Sequence, residues 1–217
     1  MFFRPEPSMV SPADALPGRS EPMAGVPDLH LVTRAPLKPP FGDGVEVVYL
    51  AGGCFWGIER IFWRLDGVVS TAAGYMGGYT PNPTYEETCT GRTGHAEAVL
   101  VAYDPTVIGA DRLFATFFEN HDPTTPNRQG NDVGTQYRSA IYTSTPEQGE
   151  AAVAARDAFQ KVLSDAGHGT ITTELRPAEE AGPFYYAEEL HQQYLEKNPG
   201  GYCNHGPNGY TCPVGLV

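Results

Sequence analysis

The chain has 217 residues, 26 of them acidic and 14 basic, which gives a formal net charge of −12 and a pI near 4.8. Nucleic acids and anionic membrane surfaces are themselves negative, so this charge argues against both as partners. No apolar run approaches membrane-spanning length, and the first residues lack the apolar stretch of a secretory signal. We therefore expect a cytoplasmic protein, and we expect it to be a monomer.

Composition divides the chain into three regions. Residues 1–42 carry nine of the twenty prolines and little periodicity, so we expect an extended segment without its own core, either loose or laid over the surface. Residues 43–197 are expected to form the main domain. Residues 198–217 contain five glycines and two cysteines, which predicts a flexible tail.

Apolar periodicity predicts the order strand, helix, strand, strand, helix, strand through residue 142. The predicted strands are 45–51, 68–73, 96–103 and 136–142, and the predicted helices begin after residue 54 and span 111–119. This order is the split βαβ arrangement. It predicts an α+β fold of two layers, with helices on a mixed sheet and a ferredoxin-like core.

The clearest helix signal comes after this core. Thr145 is expected to cap the helix, Pro146 to take its first position and Gln148 to complete a capping box. A strand over 170–175 and a short helix over 187–195 are expected to complete the body.

Cys54 lies at the predicted turn between the first strand and the first helix, within Gly-Gly-Cys-Phe-Trp-Gly at 52–57. Paired glycines allow a tight turn and the close approach of another molecule. At a helix N-terminus, free backbone N–H groups and the helix dipole favour a thiolate. The alternative is a small buried hydrophobe, as most free cysteines are, but such a residue seldom needs glycine on both sides. We predict that Cys54 is a nucleophile.

Neighbouring residues suggest what this nucleophile acts on. Phe55 and Trp56 either wall a small apolar pocket beside the sulfur or belong to the core, and we favour the pocket. Glu97 shares a strand face with Val99 and Val101. It is either exposed at the strand end or buried, and burial would raise its pKa and make it a general acid at neutral pH. The spacing of residues does not decide between an exposed and a buried Glu97.

Polar loops hold three weaker candidates. Tyr85 and Tyr137 lie on or beside two long loops and can donate hydrogen bonds, although tyrosines in a chain with twelve of them are mostly packing residues. Asp132 lies in the second loop, where aspartate is more often a turn former.

The tail carries two cysteines in glycine-rich sequence. Cys203 and Cys212 are nine positions apart, so each could reach other parts of the surface and the other cysteine. A thiol oxidised at Cys54 would need such a resolving partner. Zinc held by Cys203, His205 and Cys212 is the alternative, but the spacing matches no common structural zinc pattern. Cys89 has no partner signal and is expected to be structural.

The motifs together resemble the A-type peptide methionine sulfoxide reductases, over about residues 45–212. The matching segments are Gly53–Gly57, Gly74–Gly78, Asn82–Tyr85, Gly94–Glu97, His121–Thr124, Asn127–Asp132, Gln136–Ser139, His191–Leu195 and the tail cysteines, and Val10–Pro17 is similar to the N-terminal extension of some bacterial members.

The resemblance implies a mechanism that needs no metal and no bound organic cofactor. Cys54 would attack the sulfur of a methionine S-sulfoxide, free or in an oxidised protein, whose methyl group lies against Phe55 and Trp56. Glu97 would donate a proton to the sulfoxide oxygen, with hydrogen bonds from Tyr85 and Tyr137.

The same resemblance gives Asp132 a part in holding the substrate backbone. It also implies that Cys203 resolves the Cys54 sulfenic acid as a disulfide, that Cys212 then exchanges with Cys203, and that thioredoxin reduces the product.

Two other classes of function remain open from the residues alone. A cysteine hydrolase would pair Cys54 with His95 or His121 as base and leave the tail cysteines without a function. A metal-binding module would use Cys203, His205 and Cys212.

Overall fold

The structure of the protein is a computed structural model that describes residues 6–214. Its strands are β1 (Glu46–Gly52), β2 (Val68–Met76), β3 (Ala96–Tyr103), β4 (Arg128–Gln129), β5 (Asp132–Val133), β6 (Ser139–Thr143), β7 (Glu174–Pro177) and β8 (Tyr185–Tyr186). Its helices are α1 (Phe55–Phe62), α2 (Tyr85–Cys89), α3 (Ala110–Glu119), α4 (Pro146–Asp165), α5 (Ala178–Ala181) and α6 (Tyr194–Lys197). The expectations for residues 1–5 and 215–217 lie outside this description.

Six strands form one mixed sheet in the order β7-β6-β1-β3-β2-β8. β1 runs antiparallel to β3 and β6, β2 runs antiparallel to β3 and β8, and β6 and β7 are parallel. The inner four strands, in the order β6-β1-β3-β2, have the split βαβ connectivity. The predicted α+β fold with helices on a mixed sheet is therefore confirmed.

One face of the sheet packs on α1, α3 and α4. Large apolar side chains from both layers form its core, among them Leu50 of β1, Val99 of β3, Phe117 of α3 and Phe159 of α4. Full burial of one such side chain contributes roughly 1.5–3 kcal/mol. This core fixes the end of β1 against the start of α1, which is where Cys54 lies.

The opposite face is covered in part by the N-terminal segment. Leu37 and Val26 are buried there against Ala72, Leu100 and Ala102 of the sheet. Leu29 also forms a β-bridge with Pro36. Residues 6–42 therefore lie along the domain, in contact with the sheet.

The predicted helix over 187–195 was wrong. The segment contains a 3-10 turn at Glu189–His191 and the four-residue α6, and Gln193 between them has a left-handed φ of 46°. The side chain of Gln192 donates to the carbonyl of Ala73 and accepts from its N–H, at 2.9 Å each. This segment therefore bonds to β2 instead of forming one continuous helix.

Smaller differences occur at element ends. The strand predicted to begin at residue 136 begins at Ser139, after a 3-10 turn, and the strand predicted over 170–175 is Glu174–Pro177. Thr145 caps α4 as predicted, but the Gln148 side chain accepts from Ser144 instead of completing a capping box. Of the helices in residues 6–214, none combines the length and apolar character needed to cross a membrane.

Candidate active site

The turn that presents Cys54 depends on one glycine. Gly53 has a φ of +104°, and a Cβ there would lie 2.5 Å from the side chain of Gln129. Both observations require glycine at this position. The chain leaves β1 at Gly52, turns at Gly53, and begins α1 with Cys54 as its N-cap residue. Cys54 is thus at the C-terminal end of a strand, as predicted, and is 6% exposed.

The electrostatic setting of Cys54 differs from the expectation. Burial raises the pKa of its thiol, ionisation of Glu97 would raise it further, and the backbone N–H of Trp56 at the start of α1 lowers it. The start of α1 therefore lowers the pKa of Cys54, but by less than burial of the sulfur raises it. Burial of the sulfur therefore opposes the thiolate that the start of α1 favours.

Glu97 lies at the same end of α1. It is 1% exposed, and its Oε2 accepts a hydrogen bond from the backbone N–H of Phe55 at 3.0 Å. Of the two placements left open by the sequence, the structure shows the buried one. Burial raises the pKa of Glu97 to about 8, although the Phe55 N–H favours the charged form. At neutral pH this carboxyl group holds a proton next to Cys54.

Tyr85 and Tyr137 lie near the Glu97 carboxyl. Burial raises the pKa of each phenol, and ionisation of Glu97 would raise both pKa values further. Both phenols therefore remain protonated and able to donate hydrogen bonds. Tyr85 begins α2 and packs against Phe55, while Tyr137 ends the 3-10 turn before β6.

Phe55 and Trp56 both contribute to an aromatic wall beside Cys54. Phe55 is buried in the helix-side core, and Trp56 is half-buried. The indole Nε1 of Trp56 donates to Nδ1 of His191 at 3.1 Å, and the ring of Tyr194 stacks on the indole at 3.9 Å between centroids. Trp56 and Tyr85 also line an open cleft of about 500 Å³.

Sequence reasoning missed the residues that hold this wall. His191 and Tyr194 were recognised only as part of a matching motif, and Glu188 was not singled out. Glu188 accepts from the N–H of Tyr85 at 2.8 Å and from the hydroxyl of Tyr75 at 3.0 Å. The signal was a His-Gln-Gln-Tyr run within a segment assigned to a plain helix.

Asp132 is engaged by the protein's own tail. Its carboxylate accepts from the Tyr202 hydroxyl at 3.1 Å and from the Asn204 amide at 2.9 Å. Next to these, His205 donates from Nε2 to the carbonyl of Gly52 at 2.7 Å. The tail between 202 and 205 thus lies against the turn that carries Cys54.

The two tail cysteines have different environments. Cys203 is half-buried and accepts a hydrogen bond from Arg60 of α1 at 3.0 Å, whereas Cys212 is completely buried with its sulfur near the carbonyl of Ala155 in α4. All four cysteines are free thiols. In residues 6–214 no group of three His, Cys, Asp or Glu side chains is placed to hold a metal ion.

Neither histidine considered as a base for a hydrolase is available to Cys54. His95 is bonded to the N–H of Gly78 and the carbonyl of Thr80, and His121 to the carbonyl of Phe117 and the hydroxyl of Ser139. Burial lowers the pKa of each to about 4. The group next to Cys54 that can exchange a proton at neutral pH is instead Glu97.

Comparison with known proteins decides the family. The model of the family "Peptide methionine sulfoxide reductase" matches residues 46–210. The chain belongs to this family. It is an oxidoreductase that reduces methionine sulfoxide to methionine.

Relatives of this reductase align with nearly the whole of its sequence. It is 59% identical over 220 residues to the peptide methionine sulfoxide reductase MsrA of Salinispora arenicola, covering 100% of this chain and 98% of that one. It is 58% identical over 214 residues to MsrA of Rhodospirillum centenum, covering 99% and 96%. The solved structure of methionine sulfoxide reductase A of Corynebacterium diphtheriae is 47% identical, with a TM-score of 0.86, and covers 96% of this chain and 99% of that chain.

A groove larger than the cleft at Trp56 lies elsewhere on the reductase. It has a volume of about 950 Å³, runs between α4 and β7, and shares no residue with the site around Cys54. Volume alone therefore does not locate the chemistry in this molecule.

Proposed function

We propose that Cys54 is the nucleophile of this reductase and Glu97 its proton donor. The observation that carries this proposal is the buried Glu97 carboxyl on the Phe55 N–H, one residue from the Cys54 sulfur. A carboxylic acid that keeps its proton at pH 7 can protonate an oxygen on which charge develops.

In the proposed first step, the sulfur of Cys54 attacks the sulfur of the methionine sulfoxide. Glu97 protonates the sulfoxide oxygen as the S–O bond weakens, and Tyr85 and Tyr137 donate hydrogen bonds to it. The oxygen passes to Cys54, which becomes a sulfenic acid, and methionine leaves. Cys54 attacks as its thiolate, and the proton that it gives up balances the one that Glu97 donates.

Substrate placement follows from the aromatic wall and the acidic loop. The methyl group of the sulfoxide would pack on Phe55 and Trp56, and Asp132 would hold the substrate backbone, which requires the tail contacts of Tyr202 and Asn204 to open. The family resemblance supports the S-sulfoxide as substrate, free or within an oxidised protein.

We assign the second stage to the tail. Cys203 attacks the Cys54 sulfenic acid, a disulfide forms and water leaves; Cys212 then exchanges with Cys203 and regenerates Cys54. Because Cys212 is buried against α4, residues 203–212 must detach for this exchange. Thioredoxin is the proposed reductant, in the cytoplasm, with the catalytic domain over 43–197 and a mobile tail over 198–217.

A thiol count tests this proposal. Reduced enzyme treated with one equivalent of methionine sulfoxide in the absence of another reductant is expected to lose two free thiols for each methionine released. Cys54→Ser is expected to release no methionine. Substantial turnover in that variant, or no loss of thiols in the wild type, would contradict the assignment.

A further inference from the structure

The sulfur of the proposed resolving cysteine is in contact with a cation. Nη2 of Arg60 donates to Sγ of Cys203 at 3.0 Å. Within residues 6–214, no carboxylate oxygen lies within 4.0 Å of the Arg60 guanidinium. The positive charge of Arg60 is therefore directed at the sulfur and is not neutralised by an acidic partner.

This contact is fixed by the residues on both sides of Cys203. Tyr202 and Asn204 are bonded to Asp132, and His205 is bonded to Gly52. The ring of His205 also lies directly over Gly57, where a Cβ would come within 2.3 Å of Nδ1. Since Gly57 and Arg60 are one turn apart on α1, the docked tail places the Cys203 sulfur beside the guanidinium.

The other charged groups near Cys203 do not replace Arg60. Asp132 is negative, and its carboxylate is occupied by donors from Tyr202 and Asn204. Burial lowers the pKa of His205, so its ring is neutral at pH 7. Cys54 is a sulfenic acid at this stage and carries no positive charge. Arg60 thus supplies the positive charge at this point of the tail.

We propose that Arg60 is a catalytic residue of the resolving step, stabilising the negative charge on the Cys203 sulfur as it attacks the Cys54 sulfenic acid. This inference rests on the proposed resolving function of Cys203. In the step, the S–S bond forms and the S–O bond of the sulfenic acid breaks. The oxygen leaves as water, carrying its own proton and taking up the one that the Cys203 thiol released on ionising, and the oxidising equivalent comes from the sulfoxide already reduced.

The expected size of the effect follows from thiol reactivity. A cation that increases the thiolate fraction tenfold also makes the sulfur less nucleophilic, so the net gain in rate at pH 7 is about threefold. At about pH 10, where an ordinary thiol is already ionised, only the lower nucleophilicity remains, so the cation should slow the step about threefold. A charge effect therefore has a pH signature that a misplaced tail lacks.

The test is a single-turnover experiment on Arg60→Met, Arg60→Lys and the control Arg64→Met, which removes an exposed arginine beyond the end of α1. Each reduced protein is mixed with one equivalent of methionine sulfoxide, and samples are quenched with dimedone. Mass spectrometry then gives the rate at which the sulfenic acid becomes disulfide.

We expect disulfide formation in Arg60→Met to be about threefold slower than in the wild type at pH 7 and about threefold faster at about pH 10. Arg60→Lys should recover most of the rate, and Arg64→Met should match the wild type. Equal rates at pH 7, or equal slowing at every pH, overturns the inference. A Cys203→Ser enzyme that still formed the disulfide product would instead show that the resolving assignment itself is wrong.

Discussion

The backbone N–H of Phe55 donates a hydrogen bond to Oε2 of Glu97 at 3.0 Å, which places a buried carboxyl group at the helix end that carries Cys54. This contact joins the first strand–helix turn to the third strand, two elements 42 residues apart in the chain. The site therefore combines a sulfur and a proton donor that belong to different motifs.

Replacing Glu97 with Gln should slow methionine release by about 100-fold or more, since an amide cannot donate the proton. Burial raises the pKa of Glu97 to about 8, so in the wild type the active acid form is lost as the pH rises through about 8. Rapid-quench measurements from pH 6 to 9 should show this decline in the wild type and not in the variant. Glu179→Gln, at an exposed site, is the control, and a decline of the same shape in Glu97→Gln would contradict the acid assignment.

Cys203→Ser should release about one methionine per enzyme and then stop when thioredoxin is the reductant, because the sulfenic acid has no resolving thiol. The measurement is the methionine burst at several enzyme concentrations, together with dimedone labelling of Cys54. Continued cycling at the wild-type rate would mean that another thiol, such as Cys89, resolves the sulfenic acid.

The cysteines of the reduced protein should react with iodoacetamide in an order set by exposure. Cys89 is exposed, Cys203 is half-buried, Cys54 is 6% exposed and Cys212 is fully buried. Labelling followed by peptide mass spectrometry should therefore modify Cys89 and Cys203 before Cys212, since a buried thiol reacts only through local opening. Early labelling of Cys212 would show that the tail leaves α4 without oxidation.

Glu59→Gln should destabilise the protein, because three donors converge on this completely buried carboxyl group. Thr71 and the side chain of Gln193 donate to Oε1, and the Gln193 N–H donates to Oε2. A glutamine would set an N–H group against one of these donors, at a cost of about 1–3 kcal/mol.

The pH dependence of this variant checks the same group. Burial raises the folded-state pKa of Glu59 to about 7, so its contribution to stability is present below the unfolded value of 4.5 and is lost as the pH rises through about 7. Denaturant titrations should show the loss in Glu59→Gln to be largest near pH 5 and smaller near pH 8. Glu179→Gln should show no such change.

Local sequence was sufficient for the elements whose bonds are mainly within regular structure. The strand predicted over 96–103 matches β3 at both ends, and Thr145 caps α4 as expected. The segment 187–195 failed because Gln192 and Gln193 bond to β2 and to Glu59, and these partners are more than 100 positions away. Periodicity within one segment contains no information about such partners.

The candidate site likewise has features that local sequence predicts and features that depend on distant residues. The position of Cys54 on a strand–helix turn could be predicted, because paired glycines and an apolar strand are local signals. The surroundings of its sulfur could not be predicted, because the groups near it belong to distant segments: Glu97 to the third strand, Asp132 to the acidic loop and Cys203 to the tail. The contacts of Trp56 with His191 and Tyr194 also join residues more than 130 positions apart.

Because Cys212 is buried, the proposed cycle requires part of the domain to unpack at each turnover. Its N–H is bonded to the side chain of Glu119 at the end of α3, and its sulfur fills space against α4. If Cys212 takes part in each cycle as proposed, the domain gives up a packed residue every time it repairs a substrate and regains it only after reduction. Stabilising osmolytes, which favour burial of protein surface, should then slow recycling more than they slow the reduction of the substrate.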